Sequence, residues 1–388
     1  MNLCAQFLED FSEPTSSFHE NGLPNWITRT GDGNVIFTQK IEDGHASLRV
    51  DASQDKRNIW YAFMHTDVAP ALNIKLFKKP HNALRIEARV RPSHAPRRVN
   101  LYLSTPRSTN HHINLLEYDL PVANEWYTIS MTLDSMEVRE GEPLYGQVSM
   151  MDWGNSGIYQ LDVDYVKVSI VDTLKAEPDQ GNATRYRPPL ATAESFAISR
   201  KVAEDVSIEH AYPTLNLSTW VHREEKVLPL DASKTILLRW DLSDLKGQQV
   251  EGEGQLELYT YAVQRLKENP KDFGEVRIVE IIDGEQDWKE GSVTYQSLMQ
   301  EKVYAEVINE QTTVDTPLSL ERAGKTVVTL SPYVLQRLID GTSLGLAIRP
   351  LGLINASLMD SETSAGKYAA RLRLNLAAGK NETKSGEN

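Results

Sequence analysis

Residues 84–91 read Leu-Arg-Ile-Glu-Ala-Arg-Val-Arg, with apolar and charged side chains in strict alternation. A period of two places one set of side chains on each face of a β-strand, so this stretch predicts a strand with one buried and one polar face. The same alternation recurs in residues 99–103, 127–133 and 161–170, between segments rich in turn-forming residues. Many short strands without intervening helices predict an all-β protein built from two β-sandwich, jelly-roll-like domains in tandem.

The alternation stops in residues 173–192, a polar and proline-containing segment that we interpret as a linker. It separates a predicted jelly-roll domain at residues 1–172 from a second β-sandwich at residues 193–377. One helix is expected at residues 332–339, after a serine suited to capping and before a glycine. The low-complexity tail, residues 378–388, is predicted to be disordered.

Composition narrows the classes of protein to which this chain can belong. Its 388 residues include 41 basic and 54 acidic side chains, a net charge of −13 that argues against a general nucleic-acid-binding protein. No stretch approaches the ~18 consecutive apolar residues of a membrane-spanning helix. A single cysteine, Cys4, excludes an intrachain disulfide and a cysteine-based metal cage. A complete secretion signal is not expected from the opening residues.

Residues 71–112 form a basic segment in this acidic chain, with nine lysines and arginines against one acid, Glu87. Unpaired like charges repel, so the segment suggests a localised anionic ligand, with a solvated sheet face as the alternative. Three adjacent strands through this segment would present their polar side chains on one sheet face, suited to carboxylates, sulfates and sugar rings. The candidate ligand-binding residues are Arg85, Arg89, Arg91, Asn100, Tyr102, Arg107, His112 and Asn114.

The same segment also supports a catalytic alternative, a polysaccharide lyase that cleaves uronate-containing chains by β-elimination. Such an enzyme needs a cation at the carboxylate, a base for the C5 proton and an acid for the leaving oxygen. Candidates for these three roles are Arg89 or Arg91 as the cation, together with His112 and either Tyr102 or Tyr118. The acids are too scattered to suggest a glycoside hydrolase. A surface protein without sugar specificity is the third possibility.

The second half contains four motifs in a fixed order, beginning at Arg239-Trp-Asp-Leu-Ser, Asp287-Trp-Lys-Glu-Gly, Val328-Thr-Leu-Ser-Pro and Leu344-Gly-Leu-Ala-Ile. Together they resemble the DNRLRE, or disaggregatase-related, domain, whose relatives include carbohydrate-binding module family 96. The resemblance covers about half of the chain. It implies a β-sandwich that binds a polysaccharide such as alginate, as part of a polysaccharide-degrading system. An extracellular, periplasmic or cell-surface location is expected for such a protein.

An exposed tryptophan beside several cations in this half could receive a uronate sugar, because rings stack on sugar faces and guanidinium groups pair with carboxylates. These candidates are Trp220, His222, Arg223, Lys226 and Arg349, with a solvated loop as the alternative. Two other features are interpreted as structural: Trp288 as a buried ring at the sandwich edge, and Arg239 with Asp241 as an ion pair on one strand face.

The two ends of the first half have matching chemistry: Phe7-Leu-Glu-Asp-Phe opens it, and residues 161–168 close it. This resembles jelly-roll carbohydrate-binding modules, in which the first and last strands pair and acidic residues hold a structural calcium ion. The resemblance implies Glu9, Asp10 and Asp164 as metal ligands, since calcium prefers several oxygen atoms; solvated carboxylates are the alternative. The combined prediction is a pair of modules that bind an acidic polysaccharide, with no nucleic-acid partner.

Overall fold

The computed structural model describes residues 6–12, 26–30, 36–53, 59–94, 98–108, 114–153, 157–179, 184–185, 195–222, 224–265, 275–309 and 314–378. These residues are mostly β-strands, and the chain divides into two compact units. Met1–Pro188 provides most of the first unit, and Pro189–Asn269 with Phe273–Asn388 provides the second. Each unit contains two antiparallel sheets, so the predicted all-β fold with two β-sandwiches is confirmed.

The first unit consists of two six-stranded sheets. Its described elements are β1 (Gln6–Glu9), β2 (Ile27–Thr30), β3 (Ile36–Glu42), β4 (His45–Asp51), β5 (Ile59–Asp67), α1 (Ile74–Phe77), β6 (Asn82–Pro92), β7 (Arg98–Ser104), β8 (Leu115–Asp119), β9 (Tyr127–Leu133), β10 (Tyr145–Trp153), β11 (Ile158–Asp172) and β12 (Thr184–Arg185). The β6 sheet has the order β3-β4-β11-β6-β9, with β1 also paired to β11; the β10 sheet has the order β12-β8-β7-β10-β5-β2. The chain therefore changes layer between β6 and β7.

The apolar core of the first unit lies between these two sheets. The inward side chains of β6 are fully buried, as their alternation predicted: Leu84, Ile86, Ala88 and Val90. Gly146 of β10 packs tightly against the opposite sheet: an added Cβ atom would lie 3.3 Å from Val168 Cγ2 and 3.6 Å from Ile86 Cδ1. A side chain larger than that of glycine would require the neighbouring methyl groups to shift.

Strand β11 carries a β-bulge that changes which of its side chains face outward. β1 pairs with β11, as the resemblance to jelly-roll modules implied, and the register of β11 against β6 shifts between Val163 and Tyr165. Val163 and Val166 both belong to the core, so the extra residue leaves Asp164 and Tyr165 outside it. Asp162 also faces outward, and β11 thus presents two carboxylates beside the arginines of β6.

The prediction that residues 173–192 form a linker is wrong for residues 173–179, which pack against the first unit. Asp179 accepts hydrogen bonds of 2.7 Å from both the backbone N–H and the hydroxyl of Thr132, and its Oδ1 lies 3.2 Å from Arg85 Nη1. Further along, β12 pairs with β8 and extends the β10 sheet. The absence of alternation concealed this role, because residues 173–179 contact the first unit without forming a strand.

The second unit is also built from two sheets, which enclose its main core. Its described elements are β13 (Ile198–Lys201), β14 (Glu204–Glu209), β15 (Val221–His222), β16 (Glu225–Leu230), β17 (Lys234–Arg239), β18 (Gly254–Arg265), β19 (Glu275–Ile281), α2 (Tyr295–Met299), α3 (Tyr304–Val307), β20 (Val314–Thr316), β21 (Lys325–Leu330), α4 (Pro332–Asp340), β22 (Gly345–Leu351), β23 (Ile354–Met359) and β24 (Arg371–Leu374). The β18 sheet has the order β13-β24-β18-β23-β16-β15, with β21 also on β18; the β22 sheet has the order β14-β17-β22-β19-β20. A smaller core forms around Trp288 with residues of α2 and α3.

Helix α4 matches the predicted helix and ends one residue later than expected. Ser331 Oγ accepts a hydrogen bond from Val334 N at its start, and Gly341 adopts a left-handed φ of 75° at its end. A buried ion pair joins α4 to β19: Arg337 Nε and Nη2 donate to Glu280 Oε1 and Oε2 at 3.0 and 2.7 Å. None of the described helices has the length and apolar character to span a membrane. The expected disordered tail lies outside the described residues beyond position 378.

Candidate functional site

The predicted ligand-binding residues of the first unit do not share one face. Arg85, Arg89 and Arg91 lie on the outer face of the β6 sheet, whereas Asn100 and Tyr102 lie on the outer face of the β10 sheet. The prediction of a single face over three adjacent strands is therefore wrong. Alternation shows which side chains of one strand share a face, but consecutive strands need not be neighbours, and here the chain changes layer between them.

The other two described candidates from this segment have partners within the protein. Asn114 is buried, and its amide donates a 3.2 Å hydrogen bond to Ser108 Oγ. Arg107 makes a two-point ion pair with Glu142, at 3.0 Å from Nε to Oε2 and 2.6 Å from Nη2 to Oε1. His112 lies outside the described residues.

Each arginine of β6 has an acidic partner from outside the basic segment. The pairs are Arg85–Asp179 at 3.2 Å, Arg89–Asp164 at 2.8 Å and Arg91–Asp162 at 2.7 Å. The expectation of uncompensated positive charge is therefore wrong, because the acids arrive from β11 and from the segment after it. Arg85 is only 11% exposed and also donates to Ser130 Oγ, so this side chain is structural.

Arg89 and Arg91 remain partly exposed and stack on a tryptophan. Their Cζ atoms lie 5.1 and 4.6 Å from the ring centroid of Trp126, and their side chains are 43% and 33% exposed. The imidazole of His45 meets the indole edge-on, at 5.9 Å between ring centroids. We call Arg89, Arg91 and Trp126 the Trp126 surface. It combines two cations with an aromatic ring.

On the other side, the outer face of the β10 sheet presents aromatic and polar side chains from three paired strands. In one row, Tyr102 of β7 lies opposite Gln147 of β10, which lies opposite His65 of β5. In the next row the corresponding residues are Asn100, Ser149 and Phe63. Asn100 and Ser149 are buried and form the floor between the partly exposed side chains around them. We call these six residues the Tyr102 face.

Ring contacts hold the β5 end of the Tyr102 face in place. Tyr145 stacks on His65 with 5.1 Å between ring centroids, and Phe63 meets the same imidazole edge-on at 5.3 Å. Burial raises the pKa of the Tyr102 hydroxyl, so it stays protonated at neutral pH and can donate a hydrogen bond. The face thus offers aromatic rings beside an amide, an imidazole and hydroxyl groups. This combination suits a ligand with apolar C–H faces and many hydroxyls.

The catalytic alternative is not assembled in the described residues. Tyr118 is fully buried, and its hydroxyl donates a 2.5 Å hydrogen bond to the Ser130 carbonyl. Arg89 lies on the outer face of the β6 sheet and Tyr102 on that of the β10 sheet. The predicted convergence of Arg89 with Tyr102 or Tyr118 is therefore wrong, since the sandwich core separates these outer faces.

The predicted calcium ligands are engaged separately. Glu9 Oε1 accepts a hydrogen bond from Phe11 N, and Asp10 Oδ1 accepts from the N–H and hydroxyl of Ser12. Asp164 is paired with Arg89. Across the described residues, no three His, Cys, Asp or Glu side chains are grouped so that they could share a metal ion. Calcium binding at Glu9, Asp10 and Asp164 therefore stays a prediction that the arrangement of these side chains does not support.

The candidates of the second unit are divided between its two sheets. Trp220 is 44% exposed, and His222 after it meets Tyr261 edge-on at 5.5 Å. Lys226 donates to Glu362 Oε2 at 2.7 Å. Arg223 lies outside the described residues. Arg349 belongs to the β22 sheet, where it stacks on Tyr304 at 4.8 Å and lines a separate cavity of about 160 Å³. The prediction that Arg349 joins the Trp220 group is therefore unsupported.

Of the two features predicted to be structural, the buried Trp288 is confirmed and the ion pair between Arg239 and Asp241 is not. Trp288 is fully buried, which confirms its interpretation as a packing residue. Arg239 does not pair with Asp241: its Nη2 lies 3.1 Å from Asp287 Oδ1, while the Asp241 carboxylate accepts hydrogen bonds from Ser243. Strand β17 ends at Arg239, so Asp241 lies beyond it and the two residues take different partners.

Sequence reasoning missed a cluster of four acidic side chains in the second unit: Asp205, Glu290, Asp360 and Glu362. Asp205 is 1% exposed. Neither of its carboxylate oxygens accepts a hydrogen bond of standard length and angle from a described residue. Burial, followed by the charge of Asp360, raises the pKa of Asp205 to about 8. Burial raises the pKa of Asp360 to about 7. The four residues come from three segments far apart in the chain, so no local sequence pattern indicated the cluster.

No protein-family model matches the sequence, and no curated protein is significantly similar to it. Among solved structures, the family 11 carbohydrate-binding module from Clostridium thermocellum, in complex with a β-1,3-1,4-mixed-linked tetrasaccharide, is 14% identical with a TM-score of 0.26, and the match covers 43% of this chain and 96% of that chain. The mannan-recognising module TmCBM27 is 14% identical with a TM-score of 0.27 (42% and 95% covered). TmCBM61, in complex with β-1,4-galactotriose, is 13% identical with a TM-score of 0.24 (37% and 86% covered). These values assign neither a family nor a function.

Proposed function

We propose that the first unit binds a polysaccharide chain on the Tyr102 face. The observation that carries this proposal is the row formed by Tyr102, Gln147 and His65, in which an aromatic ring, an amide and an imidazole lie side by side across three strands. Neighbouring strands are about 4.8 Å apart, so the row spans roughly 10 Å and can contact successive sugar units. Such a protein would act outside the cell or at its surface, as a binding component of polysaccharide turnover.

The balance of apolar and polar groups supports a sugar ligand over an apolar one. The rings of Tyr102 and Phe63 can cover the C–H faces of pyranose units, while Gln147 can both donate to and accept from hydroxyls. Strand pairing fixes the backbone under all of these side chains, and the contact between His65 and Tyr145 fixes a ring at the β5 end. A preorganised surface loses little side-chain entropy on binding.

Replacing Tyr102 with alanine should weaken polysaccharide binding by about 1–2 kcal/mol, or roughly 5- to 30-fold in Kd, because a stacked ring is lost. Affinity electrophoresis of the full chain through gels containing mixed-linked glucan, mannan, β-1,4-galactan or alginate measures this loss as reduced retardation. Tyr102→Phe keeps the ring and removes only the hydroxyl, so it should retain most of the retardation.

Tyr212→Ala is the matched control, because Tyr212 is an exposed tyrosine (65%) of the second unit. Its retardation should equal that of the unchanged protein. Equal retardation of Tyr102→Ala and Tyr212→Ala in every gel that slows the protein would remove the Tyr102 face from the proposal.

The Trp126 surface favours a second candidate, recognition of an acidic chain such as alginate. Its two partly exposed guanidinium groups lie over an indole, an arrangement that can pair a carboxylate and stack the sugar that carries it. Asp162 and Asp164 already neutralise these arginines. The gain from an added carboxylate is therefore small and depends on salt, since exposed charges are screened within ~8 Å at physiological ionic strength.

The double substitution Arg89→Gln with Arg91→Gln should weaken the affinity for alginate about 2- to 30-fold at low salt, seen as reduced retardation, and leave retardation by neutral glucan unchanged. The difference should shrink as salt rises. Arg107→Gln is the control, because Arg107 is also paired with a carboxylate and lies after β7, away from the Trp126 surface. Equal retardation by neutral and acidic chains, before and after the double substitution, would exclude recognition of acidic chains here.

A further inference from the structure

An open cavity of about 670 Å³ lies at one edge of the β22 sheet in the second unit. It is formed where β14 begins, β17 ends and β22 begins, together with the end of α4 and the loop around residue 287. All four sequence motifs of this half contribute to its walls, at residues 239–243, 287, 289, 338–341 and 343–345. Its size is within the range of small-ligand sites, about 300–1,000 Å³.

The charged side chains of this edge cavity occur as pairs of opposite sign. Arg239 Nη2 lies 3.1 Å from Asp287 Oδ1, and Lys289 Nζ lies 2.8 Å from Glu204 Oε1. Each pair therefore presents N–H donors and carboxylate acceptors next to each other. Leucine and isoleucine side chains complete the lining: Leu242, Leu338, Ile339 and Leu344.

We propose that the edge cavity binds one neutral sugar unit through its adjacent hydroxyls. Two neighbouring hydroxyls of a pyranose can accept from the Arg239 guanidinium and donate to the Asp287 carboxylate, and Lys289 with Glu204 offers the same combination on the other wall. The apolar side chains contact the C–H face of the ring. This inference rests on the proposed function, because it assumes that the chain binds glycans.

The charge of the lining favours a neutral sugar over a uronate. The lining contains three cations, Arg239, Lys246 and Lys289, and four acids. It therefore has no excess of positive charge that would favour a carboxylate ligand. The acids are Glu204, Asp241, Asp287 and Asp340. A sugar carboxylate at Arg239 would have to displace or face Asp287, which costs binding energy. Neutral hydroxyls can use both members of each pair without breaking them.

The test uses full-length protein carrying Tyr102→Ala, so that sugar binding by the first unit is weakened. Saturation-transfer difference NMR with methyl β-D-glucoside, methyl β-D-galactoside or methyl α-D-mannoside should detect the remaining site, and sodium D-glucuronate serves as the acidic probe. Adding Gln286→Trp, which places a large ring in the cavity, or Asp287→Ala should reduce saturation transfer to the neutral probe about fivefold or more. Asp287 is 91% exposed, so its removal should leave the fold intact.

Glu251→Ala is the matched control, an exposed acid that does not line the edge cavity. Its saturation transfer should remain unchanged. The inference is overturned by no saturation transfer from any neutral probe, by transfer that survives Gln286→Trp, or by stronger transfer to glucuronate. Failure of the Tyr102 face is seen separately, as gel retardation that does not depend on Tyr102.

Discussion

Replacing Arg337 with methionine should lower the free energy of unfolding of the second unit by about 3–5 kcal/mol. The side chain of Glu280 is fully buried and receives two hydrogen bonds from Arg337. Without the guanidinium, the buried carboxylate must either lose its charge or draw water into the contact between α4 and β19. Urea unfolding of the full chain, with hydrogen exchange of peptides from β19 and α4 as the local readout, measures the loss.

A double variant distinguishes the cost of an unpaired buried carboxylate from the cost of lost side-chain packing. Arg337→Met with Glu280→Met should recover most of the stability, because replacing a buried ion pair by apolar side chains is often neutral. Arg200→Met is the matched control: Arg200 pairs with Asp244 at 2.6 Å, but both side chains are exposed, so the expected cost is only about 0–1 kcal/mol. Similar losses for Arg200→Met and Arg337→Met would contradict this account of the buried pair.

The second unit should also lose stability as the pH rises from 5 to 8, on the order of 4 kcal/mol from Asp205 alone. The pKa of its carboxyl group is raised from 3.8 to about 8. Between about pH 4 and pH 8 the folded protein therefore keeps a proton that the unfolded chain releases, so the free energy of unfolding falls through this interval and levels off above it. Asp360, with its pKa raised to about 7, adds to the fall.

The groups that face Asp205 set the size of this effect. Burial also raises the pKa of Glu290. The hydrogen bond from Lys226 lowers the pKa of Glu362 below 4.5, so Glu362 is ionised in both the folded and the unfolded chain above about pH 5 and does not change the loss. Asp205→Asn should remove the largest contribution and make the protein more stable than the unchanged chain at pH 8. Hydrogen exchange of the β14 peptide from pH 5 to 9, corrected for intrinsic rates, reports it.

Asp244→Asn provides the control for the pH experiment, because Asp244 is an exposed aspartate of the same unit. It should keep the pH dependence of the unchanged protein. A β14 peptide whose protection changes with pH equally in Asp205→Asn and Asp244→Asn would show that Asp205 is not the titrating group.

The strands were predictable from the sequence, but their neighbours were not. Alternation in residues 84–91 correctly indicated which side chains of β6 are buried, because that pattern depends only on the geometry of one strand. The sheet order depends on where the chain changes layer, which local sequence does not encode. Arg85, Arg89 and Arg91 were therefore assigned correctly to an outer face but grouped with strands of the other sheet.

The candidate sites were limited by the same lack of long-range information. Tyr102 was identified, whereas its partners Gln147 and His65 were missed, because they come from strands about 40 residues away on either side. A period-two pattern in residues 145–149 was the only local sign that Gln147 faces outward. Charge counting failed for Arg89 and Arg91 because β11 brings Asp164 and Asp162 from far along the chain.

The contacts of Asp179 and of β12 with the first unit determine where the two units can be separated. A cut after residue 172 would remove Asp179 from Arg85 and Thr132, and it would strip β12 from β8. That cut would remove the nearer of the two carboxylates that pair with Arg85 and would expose the edge of β8, and exposed strand edges promote aggregation. A stable, independently handled first sandwich should therefore retain the chain through Arg185.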